Sequence, residues 1–178
     1  MTPDSVGPLS RPYPLHRVTP AGTAAEVETS EAERAALARD LGLPAIHALT
    51  GQFRIVGSRD RVIVTGRVRA KIEQLCGVTL EPFPTQVDED VEVTFAAPDP
   101  RASRTPPDEV ELSMEHDPPE ELTGDSIDLG AITAEFLALG LHPFPRKPGI
   151  AFEPPADSSA EDGPFARLAA LRPKAGDA

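Results

Sequence analysis

The stretch Thr50–Glu73, TGQFRIVGSRDRVIVTGRVRAKIE, decides the fold. Two runs rich in β-branched and apolar residues, Thr50–Val56 and Arg61–Glu73, flank Gly57-Ser58-Arg59-Asp60, a turn-forming quartet. Side chains alternate across a strand. Val62, Val64, Val68, Ala70 and Ile72 therefore share one face, and Arg61, Thr65, Arg67, Arg69 and Lys71 share the other. With Val56 opposite Arg61, Phe53 and Ile55 join the apolar face and Arg54 joins the basic one, so both strands agree on which side is core. A hairpin with one buried and one charged face is expected as part of an antiparallel sheet.

Working outward, Tyr13–Val18 reads as an edge strand, where Pro12 and Pro14 are tolerated. Pro20–Gly22 reads as a turn and Ala24–Thr29 as a short strand. Ser30-Glu31-Ala32-Glu33 fits a capping box that starts a helix over 31–41, stopped by Gly42 and Pro44. Downstream, Cys76–Pro84 reads as a turn and a short strand. In Val87–Phe95, Val87, Val91, Val93 and Phe95 alternate with Asp88, Asp90, Glu92 and Thr94, as in a half-buried strand.

The character then changes. Prolines stand at 98, 100, 106, 107, 118 and 119, and from 97 to 128 ten acidic residues face only Arg101 and Arg104. This predicts a mobile acidic insert at 97–124, with one strand around Val110–Met114. Asp128 suits the N-cap of a helix in which Leu129, Ile132, Phe136 and Leu139 recur, ended by Gly140 and Pro143. Truncation of a buried Phe136 to alanine would cost about 3–5 kcal/mol.

Residues 1–11 are expected to form a disordered lead-in, and 12–152 a single α+β domain. The remainder, 153–178, reads as linker plus a short helix at Pro164–Arg172 that docks through Phe165, Leu168 and Leu171. The fold class is α+β: a curved antiparallel sheet of about five to six strands packed with two main helices and a short C-terminal helix.

Composition narrows the function. The 178 residues include 21 prolines, no tryptophan and one cysteine, which excludes a disulfide framework and a Cys-only zinc cage. No run of about 18 apolar residues points to a membrane span, and Met1–Arg11 lacks the pattern of a secretory signal, so a cytoplasmic location is expected. The net charge of −12 disfavours indiscriminate attachment to nucleic acid. The charge is uneven, however. Residues 1–96 carry 10 basic and 13 acidic side chains, and 97–178 carry 7 and 16. Between positions 54 and 71, six basic residues face only Asp60.

Catalytic chemistry finds no support. His16, His47, His116 and His142 are dispersed, and Cys76 has no second cysteine. Asp108, Glu109, Glu111, Glu115 and Asp117 lie in a proline-flanked stretch without the rigid support a metal needs, and phosphate-loop and nucleophile-elbow motifs are absent. The basic hairpin face is the strongest signal. Arg54, Arg61, Arg67, Arg69 and Lys71 present cations at alternate positions, about 6–7 Å apart, suited to phosphates along an RNA backbone. Aromatic residues that could stack bases are scarce, so contacts would go mainly to phosphate or shape. The competing reading is a solvated strand face paired with carboxylates.

Four segments in order carry a family resemblance: Ser30–Leu43 (SEAERAALARDLGL), Gly66–Phe83 (GRVRAKIEQLCGVTLEPF), Ile127–Arg146 (IDLGAITAEFLALGLHPFPR) and Pro164–Leu171 (PFARLAAL). The chain resembles the YceD family of large ribosomal RNA subunit accumulation proteins, in the form of its alphaproteobacterial branch. The residues bearing the resemblance are Cys76, Leu80, Glu81, Pro82, Asp128, Leu129, Glu135, Pro143, Pro145 and Arg146.

The resemblance implies a non-catalytic factor in synthesis, processing or stability of 23S ribosomal RNA, with ribosomal RNA or its precursor as partner, and with no enzyme activity and no cofactor. Many members carry C-x-x-C before the Leu-Glu-Pro stretch and a further cysteine pair after the C-terminal Pro-x-x-Pro. Here the first pair reads Cys76-Gly77-Val78-Thr79 and the second is absent, so zinc is not carried over. The expected function is RNA binding through the basic hairpin face. The alternative is a protein-interaction module that binds a basic ribosomal protein or a processing nuclease through its acidic segment.

Overall fold

The central hairpin forms from β3 (Ala45–Gly57) and β4 (Arg61–Leu75) in the computed structural model, which describes residues 7–98 and 119–152. The faces are those the alternation predicts: Val62, Val64, Val68, Ala70 and Ile72 are buried, and Arg61, Arg67, Arg69 and Lys71 are exposed. The pairing differs from the expectation. Val56 faces Ile63 rather than Arg61, a two-residue shift that leaves the faces unchanged because the side-chain period is two.

The cause is a tighter turn. Ser58 N–H donates to the Arg61 carbonyl at 2.8 Å, so the loop is Arg59-Asp60 alone. Gly57 (φ +144°) makes this possible, since a Cβ there would lie 2.2 Å from the Arg61 carbonyl oxygen. β3 also begins earlier than Thr50. A bulge at His47, between the pairs Ile46–Ile72 and Ala48–Lys71, moves the buried set from Ile46 to the odd positions Leu49, Phe53 and Ile55. That break in alternation hides the first part of the strand from a sequence reading.

The expected turn, short strand and second strand between Cys76 and Phe95 are one continuous element, β5 (Pro82–Ala96), antiparallel to β4 throughout. Pro82 and Pro84 are accommodated because β5 is an outer strand there. The main sheet runs β2-β3-β4-β5-β6, with β2 at Thr23–Glu28 and β6 at Glu120–Glu121. β6 lies parallel to Phe95–Ala96, which makes the sheet mixed and sets an ordered strand within the insert expected to be mobile.

The Tyr13–Val18 strand is shorter than expected: β1 (Pro12–Pro14), followed by a 3₁₀ turn at Leu15–Arg17. It pairs not with the main sheet but with β7 (Ser126–Asp128), as a separate two-stranded ribbon. Order also begins before residue 12, since Leu9 is buried in the core. The remainder of the lead-in, the Val110–Met114 strand and the Pro164–Arg172 helix lie outside the described residues. The chain divides into two compact units, Met1–Lys147 and Pro148–Ala178.

Helix α1 (Glu31–Asp40) carries the full capping box, with Ser30 Oγ accepting from Glu33 N–H and the Glu33 carboxylate accepting from Ser30 N–H. It ends in a Schellman motif, Leu43 N–H to Ala38 C=O and Gly42 N–H to Arg39 C=O, with Gly42 at φ +65°. Helix α2 (Leu129–Leu139) packs on the buried face of the sheet. Its stripe is Leu129, Ile132, Thr133 and Leu137 rather than the expected series. Phe136 is half-buried and Leu139 is 69% exposed, because Leu137 continues the stripe four residues after Thr133. No helix among the described residues is long and apolar enough to cross a membrane.

The N-terminal segment is fastened by Arg11. Its N–H donates to Asp128 Oδ1 at 2.7 Å and its guanidinium reaches Glu33 at 2.7 Å and the Glu28 carbonyl at 3.1 Å. The Arg11 hydrogen bond, then the Ser30 N–H and hydroxyl, bring the Glu33 carboxyl from 4.5 to about 2. Burial pushes the Asp128 carboxyl up, but bonds from Arg11 N–H, Ser10 hydroxyl and the first N–H groups of α2 outweigh it, leaving a net shift downward.

The packing of α2 ranks its apolar residues. Leu137→Ala should cost about 3–4 kcal/mol in urea unfolding, Leu139→Ala less than about 0.5 kcal/mol, and Phe136→Ala an intermediate amount. Both depressed carboxyls stabilise the fold above their unfolded-state values, near pH 4, and that contribution is lost as pH falls through the folded-state values, about 2 for Glu33. The melting temperature should therefore fall between about pH 5 and 2, and Glu33→Gln should flatten that fall while lowering the value at pH 7, measured by circular dichroism.

Candidate nucleic-acid interface

The face of the sheet opposite α1 and α2 is solvent-exposed, and its rows are set by strand register. Glu28, Thr50, Arg69 and Asp88 lie side by side across β2, β3, β4 and β5. Glu26, Gln52, Arg67 and Asp90 form the next row, and Ala24, Arg54, Thr65 and Glu92 the third. Four of the five predicted contacts lie on the continuous face: Arg54 on β3, and Arg67, Arg69 and Lys71 on β4. Arg61 stands at the start of β4, beside the hairpin tip.

Each central arginine meets a carboxylate from β5. Arg67 Nε donates to Asp90 Oδ1 at 2.8 Å, and its Nη2 donates to the same oxygen. Arg69 Nε lies 3.4 Å from Asp88, which also lies 3.4 Å from Arg67. The Asp90 hydrogen bond, then the charges of Asp90 and Asp88, raise the Arg67 pKa above its ordinary value. Arg54 donates to the Ala21 carbonyl at 2.9 Å, while Lys71 and Arg61 are in no ion pair among the described residues. The basic island is thus a cationic ridge between two acidic borders, Glu26 and Glu28 on one side and Asp88, Asp90 and Glu92 on the other.

The competing reading of a strand face paired with carboxylates anticipated such partners, and the ion pairs of Arg67 and Arg69 agree with it, but sequence reasoning did not say which carboxylates they are. The signal was present in the alternation of Asp88, Asp90 and Glu92. What it lacked was the pairing of that strand with β4, fixed by the loop Cys76–Glu81, where Cys76 N–H donates to the Glu81 carbonyl at 2.9 Å and Leu80 N–H to the Cys76 carbonyl at 2.8 Å.

Comparison with known proteins adds the family. The sequence profile described as "Large ribosomal RNA subunit accumulation protein YceD" matches residues 64–172. The chain belongs to the YceD family. No curated protein and no solved structure matches it.

The ten residues that carry the YceD resemblance fall into two groups in space. Asp128 and Leu129 open α2. Asp128 accepts from Gly130 N–H at 2.8 Å, Ala131 N–H at 3.1 Å and the Ser10 hydroxyl at 2.6 Å, and Leu129 is buried. Glu135 is exposed farther along the helix, and its charge, after burial, raises the Glu120 pKa.

The second group is the loop Cys76–Pro82 with Pro143, Pro145 and Arg146. Gly77 N–H donates to the Pro145 carbonyl at 2.8 Å, and Lys147 pairs with Glu81 at 3.0 Å. Leu80 takes φ +59°, which lets the loop close. The Cys76 thiol is buried. The N–H of Lys147, then the N–H and hydroxyl of Thr79 and the N–H of Val78, bring it from 9.0 to about 6 against the effect of burial. Among the described residues, no three His, Cys, Asp or Glu side chains gather as a metal site.

Asp128→Ala should remove the cap of α2 together with its links to Ser10 and Arg11. The expected loss is about 2 kcal/mol, read by urea unfolding, with Asp128→Asn retaining part of it.

Proposed function

We propose that the protein is a non-catalytic cytoplasmic factor that supports 23S ribosomal RNA synthesis, processing or stability by binding RNA on its uncovered sheet face. Arg54, Arg61, Arg67, Arg69 and Lys71 supply the phosphate contacts. The observation that carries this reading is the run of cations at alternate positions of β4 on an exposed face, in a chain of a family named for accumulation of the large ribosomal RNA subunit.

The ion pairs on this face do not oppose it strongly. Arg67 and Asp90 side chains are 43% and 78% exposed, and exposed pairs contribute about 0–1 kcal/mol, so a phosphate can displace the carboxylate. The carboxylates remain beside the bound strand and lower its affinity, which suits a factor that must release its RNA.

A second reading, in which the protein binds a basic ribosomal protein or a processing nuclease through its acidic segment, is favoured by the ten acidic residues that stand against Arg101 and Arg104 between 97 and 128. One titration separates the two. A 23S precursor fragment should bind at low salt, weaken steeply as salt rises, lose about one unit of log–log salt slope per cation removed, and lose binding in the Arg67→Ala, Arg69→Ala, Lys71→Ala variant. Asp88→Asn with Asp90→Asn should tighten binding severalfold. Absence of binding at low salt, with a basic protein partner lost on deletion of 108–121 but kept by the arginine variants, would overturn RNA contact and support the second reading.

A further inference from the structure

A cavity of about 470 Å³ opens at the end of the sheet where the Cys76 loop meets the 142–147 segment, away from the rows of Arg67 and Arg69. Gln74, Phe83, Thr85, His142, Phe144 and Arg146 line it. Its size is that of a small-ligand site, and its lining mixes aromatic surface with a few oriented polar groups. Phe83 is buried, whereas Phe144 is 77% exposed, which leaves its ring face open to the cavity mouth.

The polar groups are held in place. Gln74 is 6% exposed. Its amide donates to the His142 carbonyl at 3.2 Å and accepts from the Thr85 hydroxyl at 3.2 Å, leaving one N–H and one lone pair. His142 Nδ1 accepts from Phe144 N–H at 3.1 Å, so the neutral ring carries its proton on Nε2. Arg146 is exposed and in no ion pair among the described residues. Aromatic faces for a planar ring, an amide with one donor and one acceptor to spare, and a cation alongside are the complement of a nucleotide.

We infer that this cavity holds one unstacked base of a single-stranded RNA segment, stacked on Phe144, edge-read by Gln74 and with its phosphate on Arg146. The inference rests on the RNA-binding reading above and adds a second anchor point to it. Gln74, Phe83 and Thr85 share the face of Ile72 and Val87, opposite Arg67, Arg69 and Lys71, so a strand that leaves the cationic ridge passes round the end of the sheet to seat one base here, which would supply the sequence preference that phosphate contacts lack.

The test uses the full chain, a labelled single-stranded RNA oligomer of mixed sequence read by fluorescence anisotropy, and nucleoside 5′-monophosphates read by NMR of the phenylalanine rings. Phe144→Ala should weaken oligomer binding about tenfold, as loss of one stacked base does, and Phe144→Trp should retain it. Arg146→Ala should reduce the salt slope by about one unit. Phe144 is exposed, so these variants should keep the wild-type melting temperature.

Oligomer binding that keeps wild-type affinity in Phe144→Ala but fails in the Arg67/Arg69/Lys71 variant would overturn the base site and leave the sheet face standing. Binding abolished by Phe144→Ala but kept in the triple variant would support the cavity and overturn the sheet face. Binding of free monophosphates without the oligomer would overturn assignment to an RNA strand. Wild-type protein that binds neither would overturn both sites. A Phe144→Ala variant with full RNA affinity that no longer captures a basic protein would overturn the base site and make Phe144 part of a protein interface.

Discussion

Everything in the structure depends on the register of β4 between its two long neighbours. Side chains repeat with a period of two, so a slip of one residue against β3 or β5 would carry Val62, Val64, Val68 and Ile72 into water and the arginines into the core. Two short connections prevent it: the Arg59-Asp60 turn on one side and the Cys76–Glu81 loop on the other. The same register that buries the core sets Asp90 against Arg67 and Asp88 against Arg69. Core formation and the charge pattern of the open face are one choice.

The two groups of family residues serve this sheet at different places. Asp128 gathers Ser10, Arg11 and the first N–H groups of α2, which joins the N-terminal segment to the helix that covers the buried face. Arg11 continues the chain of contacts to Glu33 and so to the start of α1. At the Cys76 end, backbone bonds from Gly77 and Lys147 fasten the 143–147 segment to the β4–β5 loop. That junction gives the cavity near Gln74 its walls.

The sequence resolved most of what is local. The capping box at Ser30, the stop at Gly42 and the cap at Asp128 were legible because each is satisfied within a few residues. The faces of β4 were legible because alternation there is unbroken. Reading failed where a distant partner intervenes. His47 bulges because Ile46 and Ala48 must both pair with β4, and no local signal announces it. Leu137 replaces Leu139 in the buried stripe of α2 because the sheet beneath, not the helix, selects which side chains it covers.

By itself, the sequence determined the α+β class, both main helices and the sidedness of the hairpin, since all of these follow from short-range periodicity and capping chemistry; the residues that mark the family were legible only through its resemblance to other members. The tertiary structure alone decided which strands are neighbours, and with that the meaning of the basic island. Six cations against one acid in sequence become, across the sheet, a ridge bordered by Glu26, Glu28, Asp88, Asp90 and Glu92. The reason is physical. Charges interact through space, over a few ångströms between adjacent strands, and residues such as Arg67 and Asp90 become neighbours only when the chain folds back on itself.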